Sequence, residues 1–103
     1  MSNEKMIDMI KNSVREIDSD ARIILYGSRA RGDERENSDW DIIVIVDNKK
    51  TPAENYKTIA YPLFEKGMEI GTEINTIVYS KEQWENGKPT LFRHNVLNEG
   101  IEL

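Results

Sequence analysis

The residues from Tyr26 to Val46 read YGSRARGDERENSDWDIIVIV, and this stretch carries the strongest structural signal in the chain. Its last part, Asp41–Val46, is almost continuously apolar and β-branched, which predicts a strand buried on both faces of a sheet. The run ARIILY over 21–26 predicts a second strand, which stops at Gly27. The polar segment 28–37 predicts one helical turn followed by a loop. Two strands joined by a short polar connection therefore form the centre of the expected fold.

The rest of the chain alternates between helical and extended patterns. The predicted elements outside this centre are a helix over 3–17, a helix from Pro52 to Lys66 with Thr51 as its cap and Gly67 as its end, a strand over 72–79, a helix over 81–86 opened by Ser80, and a last helix over 90–99 closed by Gly100. This order predicts an α/β (α+β) fold with a small mixed β-sheet flanked by helices. The length of 103 residues predicts a single domain over 1–103.

Composition and charge exclude several classes of function. Hydrophobic residues make up 38% of the chain and charged residues 32%, as in ordinary globular domains. The net charge of −5 argues against broad nucleic-acid binding, which needs a basic face. The chain has no cysteine, which excludes disulfides and thiolate metal sites. The longest apolar run is too short to span a bilayer and the first residues are polar, so we expect a cytoplasmic protein with no membrane partner.

The Gly27-Ser28 pair at the end of the first strand is suited to holding a phosphate. Glycine lets an anion approach the backbone closely, and the free N–H groups at a helix start favour negative charge. The hydroxyl of Ser28 can donate to a phosphate oxygen, and the guanidinium groups of Arg29 and Arg31 are candidate phosphate partners. A structural alternative stays open for both arginines, which can instead pair with Asp33, Glu34 or Glu36 on the surface.

Asp39 and Asp41 are the candidate metal ligands. Residues two apart on a strand face the same side, with α-carbons roughly 6.5–7 Å apart. Two carboxylates in that arrangement can hold Mg²⁺, which takes its other ligands from water and phosphate. Trp40, between them, faces the opposite side and is expected to pack in the core. We also expect the core to contain Tyr61, Phe64, Trp84 and Phe92.

The spacing Gly27-Ser28-Arg29-Ala30-Arg31-Gly32, followed by Ser38-Asp39-Trp40-Asp41 before an apolar strand, resembles the signature of the DNA polymerase beta-like nucleotidyltransferase superfamily. The chain looks most similar to its minimal nucleotidyltransferases (MNT). The resemblance implies that Gly27 and Ser28 hold a nucleoside triphosphate. It also implies that Asp39 and Asp41 hold two Mg²⁺ ions, for which Mn²⁺ can substitute.

The third carboxylate of the family's site departs from the pattern. The position that aligns with it here is Asn75, a neutral amide that cannot act as a base. Glu73 lies two residues earlier, on the same face of the predicted strand. It is the candidate that completes the metal site or takes the proton of the acceptor hydroxyl. The alternative is a site whose chemistry is weakened or absent.

The resemblance also implies a reaction and a partner. The reaction is metal-dependent transfer of a nucleoside monophosphate, with ATP the favoured donor, to an acceptor hydroxyl. Similar proteins are antitoxins paired with a small helical HEPN-type toxin, and some adenylylate a tyrosine of that toxin. The rival hypothesis is a non-catalytic antitoxin that keeps the fold and acts by binding its partner.

Overall fold

The sheet is built around the apolar run identified in the sequence. In the computed structural model, which describes residues 1–103, the central strand β2 (Trp40–Val46) lies between β1 (Arg22–Tyr26) and β3 (Ile74–Ser80). β2 runs antiparallel to β1 and parallel to β3. A two-residue strand, β4 (Ile101–Glu102), pairs antiparallel with the other edge of β1. The strand order is β3-β2-β1-β4, which confirms the predicted small mixed sheet.

Helices cover both faces of this sheet. Their bounds are α1 (Asn3–Ile17), α2 (Ser28–Arg31), α3 (Pro52–Asn55), a π-helical segment (Tyr56–Ala60), α4 (Tyr61–Glu69), α5 (Lys81–Asn86) and α6 (Leu91–Glu99). The predicted caps are present, because the hydroxyls of Thr51 and Ser80 each accept an N–H of the following helical turn in a capping box. No helix is both long enough and apolar enough to cross a membrane.

The side chains of β2 alternate between two separate hydrophobic clusters. Ile42, Val44 and Val46 belong to the larger cluster, with buried residues of α1, the π-helical segment and α4. Ile43 and Ile45 belong to the smaller cluster, with Trp84 of α5 and Val96 of α6. All five of these strand residues are buried, which confirms the prediction of a strand covered on both faces.

The connections bring three strand ends to one edge of the sheet. β2 and β3 are parallel and both start there, whereas antiparallel β1 ends there. The register pairs Asp41 with Tyr26 of β1 on one side and with Asn75 of β3 on the other. The segment 27–39 leaves and re-enters the sheet at this edge, so the polar residues singled out in the sequence gather there.

The prediction that the helix beginning at Pro52 ends at Gly67 was wrong. α4 continues to Glu69, and Gly67 is a buried position within it. A Cβ at Gly67 would lie 2.9 Å from Ile74 Cγ1 and 2.9 Å from the carbonyl oxygen of Thr72. The glycine therefore permits close approach of the helix to β3, and Gly71, with φ of +82°, is the left-handed residue that follows.

The aromatic core was only partly predicted. Trp84 is buried, but Tyr61 and Phe92 keep 45% and 38% of their surface exposed. β-Branched residues of the strands supply eight of the nineteen buried hydrophobic side chains. Tyr61 packs against Tyr56 outside the core, with ring centroids 6.4 Å apart. The sequence also gave no sign of β4, which follows Gly100 and is fastened by an ion pair of 2.7 Å between Arg22 and Glu102.

Because β2 is buried on both faces, truncating one of its side chains should cost more stability than truncating its register partner on β3. Ile43 is fully buried, whereas Ile77, its partner on β3, is 39% exposed. Ile43→Ala should lower the free energy of unfolding by about 2–5 kcal/mol, because it leaves a cavity. Ile77→Ala should cost only about 1 kcal/mol. Chemical denaturation of both variants checks this, and equal losses would contradict the burial described.

Candidate active site

Gly27 forms the sharp turn between β1 and α2. Its backbone has φ of +75° and ψ of −158°, a conformation that side-chain-bearing residues rarely adopt. The single helical turn that follows starts at Ser28 and ends at Gly32, whose φ is +79°. The predicted helical turn is confirmed, and the two glycines give the segment its direction back towards β2.

The carboxylate of Asp41 lies directly against Gly27. A Cβ added to Gly27 would be 2.5 Å from Asp41 Oδ2, which is closer than real Cβ contacts allow. The absence of a side chain at position 27 therefore provides the space that this carboxylate occupies. Because α2 begins at the next residue, the first N–H groups of the helical turn are close to the same point.

Asp39 joins Asp41 through Asn75 of the neighbouring strand. The side-chain amide Nδ2 of Asn75 donates to Asp39 Oδ2 at 3.3 Å, and Asn75 is also the register partner of Asp41. Trp40, between the two aspartates, is 2% exposed and packs in the larger hydrophobic cluster on the other face. The predicted division of this segment between a polar face and a core residue is therefore confirmed.

The pKa values of Asp41 and Glu73 are both raised at this edge. Partial burial raises the pKa of Asp41, the negative charge of Asp39 raises it further, and Asn75 and Arg31 oppose the shift. The pKa of Glu73 is raised chiefly by the negative charge of Asp39. The ionised forms repel one another, and a bound cation would relieve that repulsion.

The donor set suits a divalent cation that is shared with a substrate. The structure has no group of three or more His, Cys, Asp and Glu side chains positioned to hold a metal ion. Asp39 and Asp41 nevertheless offer the one or two carboxylates that Mg²⁺ takes from proteins, with water and substrate phosphates as its remaining ligands. These residues therefore fit a magnesium ion that binds together with a phosphate-bearing ligand.

Arg29 is engaged with the loop that leads to β2. Its Nε and Nη2 donate to the carbonyl oxygen of Ser38 at 3.1 and 2.8 Å. Its Cζ lies 4.3 Å from the centroid of the Trp40 ring, and Nη1 reaches Asn3 Oδ1 at 3.4 Å. These contacts fix the residues just before Asp39, so in this structure Arg29 supports the loop.

Arg31 pairs with acidic side chains near the site. Its Nε lies 3.2 Å from Asp33 Oδ2 and its Nη1 lies 3.5 Å from Glu99 Oε2. The pairing with Asp33 was one of the alternatives that the sequence left open. Arg31 is also close enough to lower the pKa of Asp41, so its charge acts on the aspartate pair. Its side chain remains 44% exposed.

Tyr26 is a site residue that the sequence analysis missed. It is half-buried next to Asp41, and burial followed by the charge of Asp41 raises the pKa of its phenol. Its ring meets Phe92 of α6 edge-on, with centroids 5.5 Å apart. Its place as the last strand residue before Gly27 was visible, but the register that puts it beside Asp41 was not.

Comparisons with known proteins identify the family. The nucleotidyltransferase domain family matches residues 7–102. Two proteins of Methanocaldococcus jannaschii, each named "putative protein adenylyltransferase", are 35% and 32% identical to this chain. The first match covers 80% of this chain and 76% of that protein, and the second covers 96% and 99%.

The chain belongs to the nucleotidyltransferase family.

A solved structure agrees with the fold of this nucleotidyltransferase. The crystal structure described as a toxin–antitoxin with AMP-PNP superposes with a TM-score of 0.64 at 19% identity. The match covers 98% of this chain and 72% of that chain. At this identity the likeness shows a shared fold, and it confirms the predicted α/β arrangement.

The contact between Gly27 and Asp41 predicts the effect of adding one methyl group. Gly27→Ala should displace the Asp41 carboxylate and reduce nucleotidyl transfer about 100-fold, the scale of a misplacement of about 1 Å. Gly32→Ala is the matched control, because Gly32 also has positive φ but a Cβ there meets nothing within 4 Å. Both variants should lose about 1–3 kcal/mol of stability through backbone strain. Equal transfer rates in the two folded variants would contradict the assigned role of Gly27.

The partial burial of Asp41 and the charge of Asp39 beside it predict that this carboxylate destabilises the free protein. The pKa of Asp41 is raised in the folded state, so the folded protein binds this proton more tightly than the unfolded chain does. The free energy of unfolding therefore falls as the pH rises from the ordinary carboxyl pKa to the raised one. Asp41→Asn should therefore raise the free energy of unfolding at neutral pH, by up to about 1 kcal/mol for this partly exposed group. The gain should vanish below the ordinary pKa of a carboxyl group.

Denaturation of wild type and Asp41→Asn across the pH range measures this difference. Asp47→Asn, at the exposed opposite end of β2, is the control and should change little. A loss of stability in Asp41→Asn at neutral pH would show that the carboxylate is stabilising after all.

Proposed function

We propose that this chain transfers AMP from ATP to a hydroxyl group of a partner protein, with Mg²⁺ bound at Asp39 and Asp41. The observation that carries the proposal is the close contact between the bare backbone of Gly27 and the carboxylate of Asp41. This contact places a glycine turn that can bind phosphate next to a carboxylate that can bind a metal ion. A triphosphate–magnesium complex requires both features at one point.

Gly27 and Ser28 hold the triphosphate in this proposal. The backbone can approach phosphate oxygens closely at a residue without a side chain, and the hydroxyl of Ser28 supplies a donor. Arg31 adds positive charge close to Asp41 and is the arginine we assign to the nucleotide. The sequence makes Arg29 a phosphate candidate as well, but its hydrogen bonds to Ser38 support an indirect role, in which it holds the loop that carries Asp39.

Asp39 and Asp41 would hold the metal, and by the family resemblance two ions would bind there with the triphosphate. Bound Mg²⁺, or Mn²⁺ in its place, supplies charge stabilisation for the phosphates during transfer. Asn75 keeps Asp39 in position through its amide, a role that the neutral side chain can fill although it cannot replace a carboxylate ligand. Glu73 adds the remaining negative charge beside Asp39.

Glu73 is our candidate for the proton acceptor. The acceptor oxygen forms a bond to the α-phosphorus as the bond between that phosphorus and the oxygen bridging to the β-phosphate breaks. Pyrophosphate leaves, and the proton of the hydroxyl passes to the carboxylate of Glu73. The carboxylate of Glu73 is exposed close to Asp39, where an approaching hydroxyl group can reach it.

A protein acceptor is supported by the names of the relatives. Two of them are named for protein adenylyltransferase activity, and a structural neighbour is described as a toxin–antitoxin with AMP-PNP. By the family resemblance, the acceptor is a tyrosine of a small helical HEPN-type toxin, and the proposed location of the pair is the cytoplasm. This chain would then act as the antitoxin.

A binding-only antitoxin is the second candidate, and Asn75 is the observation that favours it. An amide stands directly beside Asp41, and no three acidic side chains converge as a ready metal site. If this candidate is right, neutralisation of the partner survives loss of the aspartates, provided that the chain still folds.

A transfer assay distinguishes these two functions. The purified chain is incubated with radiolabelled ATP, Mg²⁺ and its toxin partner, and labelled partner is quantified with wild type, Asp39→Asn and Glu73→Gln. Asp47→Asn is the control of equal charge change. We expect a loss of at least about 1000-fold for Asp39→Asn and about 100-fold for Glu73→Gln, the scale of a general base. Undiminished transfer by Asp39→Asn would contradict the metal assignment, and neutralisation without any transfer would favour the binding-only antitoxin.

A further inference from the structure

The outer edge of β3 is a seven-residue strand edge without a partner. β3 lies at the end of the sheet and pairs only with β2. The N–H of Trp40 donates to the carbonyl oxygen of Glu73 at 2.9 Å, so the odd-numbered residues of this segment direct their backbone groups towards β2. The even-numbered residues, which include Thr76 and Val78, direct their N–H and C=O groups outwards, where no strand receives them.

The sequence of this edge lacks the features that usually keep strand edges apart. Exposed edges commonly carry charged side chains, a proline or a bulge. β3 reads INTIVYS, without a charge or a proline, in a chain in which 32% of the residues are charged. Its register with β2 is continuous, so it contains no bulge. An edge of this kind favours pairing with another extended strand.

The charges at the two ends of β3 favour a second copy of the same strand as the partner. Glu73 directly precedes the strand and Lys81 directly follows it. If two copies pair antiparallel with Ile77 opposite Ile77, this residue lies on the two-fold axis and all seven residues of the strand find a partner. Glu73 of each copy then lies opposite Lys81 of the other, so opposite charges meet at both ends of the paired strands.

The same register satisfies the direction of the backbone groups. It places Thr76 opposite Val78 of the second copy, and both residues direct their N–H and C=O groups outwards, so they can exchange two hydrogen bonds. A shift of one residue would place outward groups opposite inward ones. A shift of two residues would keep the hydrogen bonds, but it would leave strand residues unpaired and separate Glu73 from Lys81.

Apolar side chains near the two-fold axis favour this arrangement as well. Ile77 is 39% exposed although it lies next to the fully buried Ile43 of β2, and the two copies of Ile77 would cover each other. On the other face of the sheet, Tyr56 is exposed and lines a cavity of about 200 Å³ together with Pro52 and residues 76–78. A second copy paired along β3 would cover apolar surface on both faces.

We propose that two copies of this chain pair through β3 into one continuous sheet, in which Lys81 of each copy lies beside Glu73 of the other. Glu73 belongs to the candidate site, so each copy contributes a cation to the site of its partner. Lys81 is exposed and forms no ion pair within its own chain. Its positive charge would offset the repulsion between Glu73 and Asp39. The pairing itself does not depend on the transfer reaction.

Analytical ultracentrifugation of the full chain tests the pairing without ATP or a toxin. We expect the mass to rise from the monomer value of 12.0 kDa to twice that value as the protein concentration increases from about 1 to about 500 µM, as for a small interface. Ile77→Lys places two ammonium groups opposite each other on the axis and should weaken association at least about tenfold. Ile101→Lys is the matched control, because Ile101 is 47% exposed on β4 at the opposite edge of the sheet, and it should change nothing.

Reversal of the flanking charges tests the register. Lys81→Glu places a carboxylate opposite Glu73 at both ends of the paired strands and should weaken association roughly fivefold. The double variant Glu73→Lys with Lys81→Glu restores opposite charges and should regain wild-type association. Both residues are exposed, so these variants should fold, and chemical denaturation at low protein concentration checks that they do.

The outcomes separate this inference from the proposed function. A chain that stays monomeric at about 500 µM, or a dimer that persists in folded Ile77→Lys, overturns the pairing. Dissociation by Ile101→Lys would place the interface on β4 and overturn it too. A dimer that does not respond to the charge variants overturns the register and the contribution of Lys81 to the site. If all variants respond as expected but the dimer never transfers AMP, the pairing stands and the transfer reaction fails.

Discussion

The candidate site depends on one contact, in which the carboxylate of Asp41 packs against the backbone of Gly27. Asp41 occupies the space that a Cβ at Gly27 would fill, at 2.5 Å from its Oδ2. The contact requires β1 to end where β2 begins, which the antiparallel register of Tyr26 with Asp41 provides. It also requires a residue without a side chain and with positive φ directly after β1, which is Gly27. The position of the short helix α2, and with it the candidate phosphate site, follows from this one contact.

In the free protein, several carboxylates lie close together where β2 begins, and their negative charges repel one another. Asp39, Asp41 and Glu73 lie close enough to raise the pKa values of Asp41 and Glu73, and the only nearby amide donor among the strands, Asn75, offsets part of this. The burial of β2 on both faces supplies the stability that allows it. A bound cation relieves this arrangement, because it brings the positive charge that offsets the carboxylates.

The sequence predicted the parts of the molecule that depend on local chemistry. The apolar run of β2, the turn at Gly27, the caps at Thr51 and Ser80, and the separation of Trp40 from the aspartates all follow from residue type and spacing. The sequence did not predict features that depend on tertiary contact. The local pattern predicts a helix end at Gly67, because it holds no information on Ile74, the residue that packs against Gly67 in the fold. The pairing of β4 with β1 also depends on tertiary contact, so the local pattern does not predict it. The hydrogen bond from Arg29 to Ser38 is not predicted either, because the loop between them brings the two residues together.

The most direct measurement of the central claim is an NMR titration of the backbone amides of Gly27 and Ser28 with ATP, in the presence and absence of Mg²⁺. If this turn holds the triphosphate and Asp41 holds its metal, these amides should shift saturably with Mg-ATP. The shifts should be much weaker with ATP alone and absent in Asp41→Asn. Amides at the opposite end of β2, near Asp47, should stay unchanged. Identical shifts with and without Mg²⁺, or no response at Gly27 and Ser28 to any nucleoside triphosphate, would contradict the account.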